Sequence, residues 1–142
     1  MVSEEEDGYL DELFSVPPPS ASGKRRFQVE ARSESKKTVL VVDDSAMTRL
    51  SVVEAVQRLG YAAIEASNGM EAVASAQSQK PDLIILDILM PGKSGIRVLE
   101  DLGKQADTKS IPVIMLTVQS DRWTVGQALS RGATDYMLKP VN

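Results

Sequence analysis

The feature that most constrains the fold is an alternation that begins at Thr38, where short apolar runs are followed by longer segments with helical periodicity. The runs 39–42, 83–86 and 113–116 are apolar at every position. Such runs are typical of strands that are buried on both faces of a parallel sheet. Strands that alternate with helices indicate βα units. The sequence therefore predicts an α/β domain with an open parallel sheet between layers of helices.

Five strands and four helices are predicted in strict alternation. The strands are expected at 39–42, 61–66, 83–86, 113–116 and 135–138, with helices after Ser45, Asn68-Gly69 and Met90-Pro91-Gly92 and from about Asp121 to Ser130. Ser45 is predicted to cap the first helix, and Gly60 to end it. A fifth helix is expected after the last strand, and none fits before Asn142. Because both faces of such a sheet need cover, we expect exposed apolar surface near strands one, four and five.

Residues 1–37 differ in composition from the rest of the chain and are predicted to form a flexible charged arm, which leaves 38–142 as the domain. The arm contains eight acidic and six basic residues and few apolar positions, a composition that does not support a core. Leu10, Leu13 and Phe14 are spaced i, i+3 and i+4. One interpretation is a short amphipathic helix that packs on a partner or on the uncovered sheet face; a solvated tail is the simpler one.

The composition excludes several classes of chemistry. The chain has no cysteine and no histidine, which removes disulfides, thiol nucleophiles, imidazole metal ligands and a phosphohistidine on this chain. A net charge of −4 and a pI near 4.9 argue against direct binding of nucleic acid. No apolar run approaches the roughly 18 residues of a membrane span, and the acidic N-terminus is unlike a secretory signal. We therefore predict no membrane insertion and a cytoplasmic location.

Polar residues follow four of the predicted strands directly. They are Asp43 and Asp44 after the first strand, Asp87 after the third, Thr117 after the fourth and Lys139 after the fifth. A single Asp in such a place is usually a turn former or helix cap, but ligands of open parallel sheets bind at the carboxyl ends of the strands. Clustered carboxylates suit Mg²⁺, and a lysine and a threonine suit phosphoryl oxygens. The set predicts a site for a divalent cation and a phosphoryl group.

On these residues the chain from about Lys37 to Asn142 resembles the receiver domain of bacterial two-component response regulators. The matching signals are Val-Val-Asp43-Asp44-Ser, Asp87-x-x-Met90-Pro91-Gly92-x-x-Gly95, Thr117 thirty residues after Asp87, and Lys139-Pro140. The resemblance implies a flavodoxin-like, doubly wound five-stranded parallel sheet in the order 2-1-3-4-5. It also implies a signalling domain rather than an enzyme, since its only catalysis would be its own phosphotransfer and dephosphorylation.

The resemblance implies a role for each residue of the site. Asp87 would be the phosphoacceptor and would take its phosphoryl group from a phosphohistidine on a sensor histidine kinase or a histidine phosphotransfer protein. Asp44 and Asp87 would bind Mg²⁺ directly, Asp43 would act mainly through water, and the backbone carbonyl of Leu89 would complete the protein ligands.

A second group of residues would respond to the phosphoryl group. Lys139 would pair with it, and the bond to Pro140 would be cis, as in the family. Thr117 would turn toward a phosphoryl oxygen, and Tyr136 would change rotamer with it, although a core tyrosine is the simpler interpretation of Tyr136 taken alone. This is a two-state switch that controls a downstream protein or output domain.

Three positions near the site differ from the commonest family pattern. Leu89 is apolar where a polar residue often orients the hydrolytic water, Val118 replaces a small residue, and Gln119 follows it. We expect these residues to restrict water and to slow the hydrolysis of the acyl phosphate.

Other functions are less consistent with the residues. Gly92-Lys93-Ser94 ends like a phosphate-binding P-loop, but that motif requires glycine where Asp87 stands. A phosphatase of the haloacid dehalogenase type would need a second Asp where Leu89 stands. The remaining alternatives are a receiver-like interaction module that acts without phosphorylation, and a fragment of a larger regulator or hybrid histidine kinase. A dimer through the face of the fourth helix and fifth strand is a further expectation.

Overall fold

The computed structural model describes residues 36–118 and 122–139, which form one five-stranded parallel sheet with helices on both faces. The strands are β1 (Thr38–Val42), β2 (Ala62–Ala66), β3 (Leu83–Asp87), β4 (Val113–Thr117) and β5 (Asp135–Leu138), and the helices are α1 (Ala46–Arg58), α2 (Gly69–Gln79), α3 (Gly95–Gly103) and α4 (Arg122–Ser130). The strand order is β2-β1-β3-β4-β5. The predicted fold class, the strict alternation and the strand order are therefore confirmed.

Local signals in the sequence set the ends of several helices. The Ser45 side chain accepts a hydrogen bond from the backbone N–H of Thr48 and so caps α1 as predicted. Gly60 follows the end of α1 with a φ of +94°, a backbone conformation that side chains disfavour. Asn68 and Ser94 cap α2 and α3 in the same way. These caps fix the points at which the chain leaves the carboxyl ends of β1, β2 and β3.

The sheet separates two apolar clusters, one on each face. The first cluster contains side chains of α2, α3 and α4, which lie over alternate residues of the strands: Ala72, Ala76, Val98, Leu99, Leu102 and Ala128. Among the described helices, only α1 contributes side chains to the second cluster: Val52, Val53, Ala55 and Val56. Fully buried strand residues fill both clusters, as a parallel sheet covered on two sides requires. We call the face of the second cluster the α1 face.

The described residues include no fifth helix after β5, as expected. The prediction that apolar surface of β4 would be exposed as a result is wrong. Ile114 and Leu116, which point to the α1 face, are completely buried, and Met137 of β5 is 9% exposed. The expectation assumed that only a helix after β5 covers this part of the sheet. The predicted arm, the Leu10-Leu13-Phe14 helix and the bond to Pro140 lie outside the described residues.

Candidate functional site

Three carboxylates meet where β1 and β3 end side by side. Asp43 and Asp44 follow β1 directly, and Asp87 is the last residue of β3. One carboxylate oxygen from each lies within 4.8 Å of the others. Asp43 and Asp87 are buried, whereas Asp44 is exposed. The strand ends therefore bring together the three acidic residues that the sequence predicted, with one of them open to solvent.

Lys139 lies against the two buried carboxylates. Its Nζ is 2.9 Å from Asp43 Oδ2 and 3.1 Å from Asp87 Oδ1. The position of the lysine is set by the sheet, because its backbone N–H donates to the Thr117 carbonyl at 2.7 Å, just beyond the end of β5. One ammonium thus pairs with two of the three clustered carboxylates, which leaves the group with an excess of negative charge.

The pKa values reflect this crowding. Burial raises the pKa of Asp87 to about 6, against the lowering effect of Lys139 and with a further raising effect of Asp43. Burial alone would lower the pKa of Lys139, but its hydrogen bonds to Asp43 and Asp87 outweigh burial and raise it. The lysine therefore stays charged at neutral pH, and the negative charge on Asp87 is costly without a further cation.

The chemistry of the donor set fits a hard divalent cation. Among the described residues, Asp87 Oδ2 is buried and has no hydrogen-bond partner. Asp43 Oδ2 is within ion-pair distance of Lys139 but also lacks a well-directed hydrogen bond. Buried charged oxygens without partners are costly, and Mg²⁺ prefers carboxylate and carbonyl oxygens together with water. The residues present therefore suit Mg²⁺ at this edge of the sheet.

The other predicted residues surround the three carboxylates. Leu89 donates its backbone N–H to Asp87 Oδ1 at 3.3 Å, and its side chain is exposed. Thr117 ends β4 next to β3 and is buried. Tyr136 is half-buried on β5, beside Met115, and packs against the first cluster, on the face opposite α1. Val118 is exposed, and Gln119 lies outside the described residues.

Two further residues shape the site in ways that the sequence did not reveal. Arg49 on α1 donates from a guanidinium nitrogen to the backbone carbonyl of Asp43 at 2.7 Å and from Nε to Glu65 at 2.9 Å. Gly95 has no room for a side chain, since a Cβ there would lie 2.1 Å from the Asp87 carbonyl oxygen. The motif contained Gly95, but neither contact has a signal in the spacing of residues. Both depend on how α1 and α3 approach the strand ends.

The comparisons agree with this geometry. The profile of the family described as "Response regulator receiver domain" matches residues 39–142. The chain is 42% identical over 104 residues to the phosphate regulon transcriptional regulatory protein PhoB of Pseudomonas aeruginosa, covering 73% of this chain and 45% of PhoB. It is 36% identical to Protein PilH of the same organism, covering 73% of this chain and 86% of PilH. The chain thus spans about half the length of PhoB and most of PilH.

Solved structures show the same likeness. The chemotaxis protein CheY4 of Vibrio cholerae matches with a TM-score of 0.73 and 34% identity, covering 76% of this chain and 90% of that one. Within the part of the chain that the structure describes, no helix has the length and apolar character needed to span a membrane. The resemblance that the motifs indicated is confirmed, and the chain belongs to the response regulator receiver domain family.

Proposed function

We propose that this chain accepts a phosphoryl group on Asp87 from a phosphohistidine of a partner protein, with Mg²⁺ bound beside it. The observation that carries the proposal is the state of Asp87, which is 2% exposed, lies 3.1 Å from a lysine ammonium and has one carboxylate oxygen without a hydrogen-bond partner in the described part of the chain. An unpartnered oxygen beside a fixed cation is suited to act as a nucleophile toward phosphorus. The family supports the general phosphoacceptor role.

In the proposed reaction, a carboxylate oxygen of Asp87 attacks the phosphorus of the donor. A P–O bond forms as the P–N bond of the phosphohistidine breaks, and the electron pair of that bond leaves with the imidazole of the partner. These 142 residues contain no histidine, so the phosphohistidine lies outside them, in the proposed case on a sensor histidine kinase or a histidine phosphotransfer protein. A later attack by water on phosphorus returns Asp87 to its carboxylate and releases phosphate.

The surrounding residues would hold charge and position during this transfer. Lys139, already between Asp43 and Asp87, would shift to a phosphoryl oxygen and neutralise part of its charge. Asp43, Asp44 and Asp87, with the carbonyl of Leu89, would hold Mg²⁺, which supplies charge neutralisation for the phosphoryl oxygens. Lys139 and the metal would thus replace the repulsion among the carboxylates with attraction to the transferred group.

The proposed switch connects the phosphoryl group to the outer part of β5. Thr117 ends β4, and its neighbour across the sheet is Leu138, two residues from Tyr136. A phosphoryl group on Asp87 would attract the Thr117 hydroxyl, and the vacated space would admit the Tyr136 ring. A downstream protein that binds this arrangement better would shift the equilibrium toward it. The dimer expected through α4 and β5 would use the same face, where Trp123 and Leu138 are 71% and 46% exposed.

The rim of the site favours a long-lived acyl phosphate. Leu89 and Val118 are 65% and 53% exposed, and each follows a strand that ends at the site. Apolar side chains at these places neither donate nor accept a hydrogen bond and so do not orient a water molecule for attack. Slow hydrolysis would keep the chain phosphorylated long enough to reach a cytoplasmic partner by diffusion.

The test is to incubate the chain with Mg²⁺ and a small acyl-phosphate donor and to measure its intact mass. We expect one added phosphoryl group, which is absent in Asp87→Asn and retained in Asp107→Asn, a control at an exposed acidic residue outside the site. Omission of Mg²⁺ should abolish the product. If the folded chain acquires no Asp87-dependent phosphoryl group, an interaction module that acts without phosphorylation is the better description.

A further inference from the structure

The connection between β3 and α3, residues 88–94, carries the backbone carbonyl of Leu89 that is proposed to bind Mg²⁺. We call this connection the acceptor loop. At its end, the Gly95 N–H donates to the Ile88 carbonyl at 2.9 Å, which closes the loop. That hydrogen bond joins the two ends of the loop but does not fix its middle. The direction of the Leu89 carbonyl therefore also depends on the contacts that the loop makes with neighbouring helices.

Lys93 connects the acceptor loop to two of these helices. Its ammonium forms an ion pair with Asp101 of α3, and the two side chains are partly buried, at 28% and 25% exposed. Its stem lies against Gly69, the first residue of α2. A Cβ at Gly69 would lie 2.8 Å from Lys93 Cβ and 2.9 Å from the Lys93 carbonyl oxygen. The loop is thus held at Lys93 by a close backbone approach and by a charge pair.

The charge pair turns the lysine away from the phosphoacceptor. In a P-loop, the lysine after the last glycine binds phosphate directly, but here the Lys93 ammonium is bound to a carboxylate of α3. Asp101 lies six residues beyond Gly95, or about 9 Å further along the helix. The hydrogen bond from Lys93 also holds the pKa of Asp101 below its usual range, so this carboxylate is charged at neutral pH. Lys139 is the lysine that faces Asp87.

We propose that Lys93 and Asp101 are positioning residues, whose ion pair holds the acceptor loop so that the Leu89 carbonyl faces the Mg²⁺ site. The inference rests on the proposed function, because the loop has this role only if the metal binds beside Asp87. A loop that is already ordered loses less conformational entropy when it binds a ligand. The pair therefore raises the affinity for Mg²⁺ without contacting the metal. The strength of a partly exposed ion pair limits the effect to roughly five-fold.

The first test is a calorimetric titration of the full chain with Mg²⁺. Asp101→Asn should weaken binding about two- to five-fold, because it removes the charge that holds Lys93. The matched control is Glu100→Gln, at the neighbouring residue of α3. Glu100 pairs with Arg131 directly after α4, and both side chains are 34% exposed, so the control breaks a similar ion pair away from the loop and should leave the affinity unchanged. Unchanged affinity in Asp101→Asn, or equal losses in both variants, would overturn the proposal.

The second test exchanges the two charges. Lys93→Glu keeps the Cβ and Cγ atoms that lie closest to Gly69 but places two carboxylates opposite each other, so it should weaken Mg²⁺ binding more than Asp101→Asn does. Lys93→Glu/Asp101→Lys restores a pair of opposite charges and should recover much of the lost affinity. A double variant that binds Mg²⁺ as weakly as Lys93→Glu would overturn the proposal, since the lysine would then be needed for a direct contact.

The third measurement needs no metal. Hydrogen exchange of the Gly95 amide, followed by NMR without divalent cations, should become at least about two-fold faster in Asp101→Asn and stay unchanged in Glu100→Gln. An unchanged rate in Asp101→Asn would overturn the claim that the pair holds the loop.

The wild-type chain separates this inference from the proposed function. A folded wild type that neither binds Mg²⁺ nor gains a phosphoryl group on Asp87 would reject the proposed function, and the inference with it. A wild type that does both, together with an Asp101→Asn variant of equal Mg²⁺ affinity, would reject the inference alone.

Discussion

The crowding of carboxylates at the site predicts that Asp87→Asn stabilises the protein when no divalent cation is present. The substitution keeps the size of the side chain and removes one of three negative charges whose oxygens lie within 4.8 Å. Lys139 keeps its ion pair with Asp43 at 2.9 Å, so the ammonium is not left without a partner. The stability gained by removing the repulsion and the buried charge should therefore exceed the stability lost with one ion pair.

The magnitude follows from the pKa of Asp87, which burial raises from 3.8 to about 6. A raised pKa means that the native state binds the proton more tightly than the unfolded state, so stability is highest at low pH and is lost as the pH rises through about 6. An increase of the Asp87 pKa from 3.8 to about 6 corresponds to at most about 3 kcal/mol. Because the substitution also removes one contact with Lys139, we expect a gain of about 1–2 kcal/mol at neutral pH.

The assay is urea unfolding followed by circular dichroism, with a chelator present at pH 7.5. Asp87→Asn should unfold at higher urea, and the difference from wild type should disappear as the pH falls toward 4, where the wild-type carboxyl is protonated. Asp107→Asn, at an exposed position, should change stability by less than about 0.5 kcal/mol. Mg²⁺ should stabilise the wild type and have little effect on Asp87→Asn. If Asp87→Asn is less stable than wild type in chelator at pH 7.5, the reasoning from charge and burial is refuted.

Three other substitutions test separate parts of the site. Gly95→Ala should lower the free energy of unfolding by about 3 kcal/mol or more, because the added Cβ would lie 2.1 Å from the Asp87 carbonyl oxygen. Gly103→Ala, which has open space around it, is the control and should be neutral or stabilising. Equal effects of the two substitutions in urea unfolding would contradict the predicted steric clash. Arg49→Lys should weaken Mg²⁺ binding several-fold in a calorimetric titration, because the hydrogen bond from Arg49 to the Asp43 carbonyl at 2.7 Å holds the β1–α1 connection. An unchanged affinity would show that Arg49 has no positioning role. Leu89→Asn should shorten the acyl-phosphate lifetime several-fold, measured by loss of the phosphorylated mass, and an unchanged lifetime would reject the proposed effect of the apolar rim.

Much of the fold could be predicted because its signals are local. Apolar runs such as 83–86 are continuous in sequence, and Ser45 and Gly60 mark the ends of α1 by their own chemistry. The site for a cation and a phosphoryl group could also be predicted from the residues that follow each strand, since parallel strands place their carboxyl ends at one edge of the sheet. The order of the strands could not be predicted from any single residue; the family resemblance implied it.

The remaining features depend on contacts between distant parts of the chain. The sequence gives no sign that Arg49 reaches the Asp43 carbonyl, because the reach depends on the angle at which α1 leaves β1. The exposure predicted for the β4–β5 half of the α1 face was wrong, since Ile114 and Leu116 are buried. Periodicity predicts which side of a strand is apolar, but it does not predict which segment covers it.

The central claim is that Asp87 receives the phosphoryl group, and the most direct measurement is to locate the modification. The chain is treated with Mg²⁺ and an acyl-phosphate donor, the acyl phosphate is reduced with borohydride to the corresponding alcohol, and the digested peptides are analysed by mass spectrometry. We expect homoserine at residue 87, with Asp43 and Asp44 unchanged. Reduction at another carboxylate, or at none in a chain shown to be folded, would contradict it.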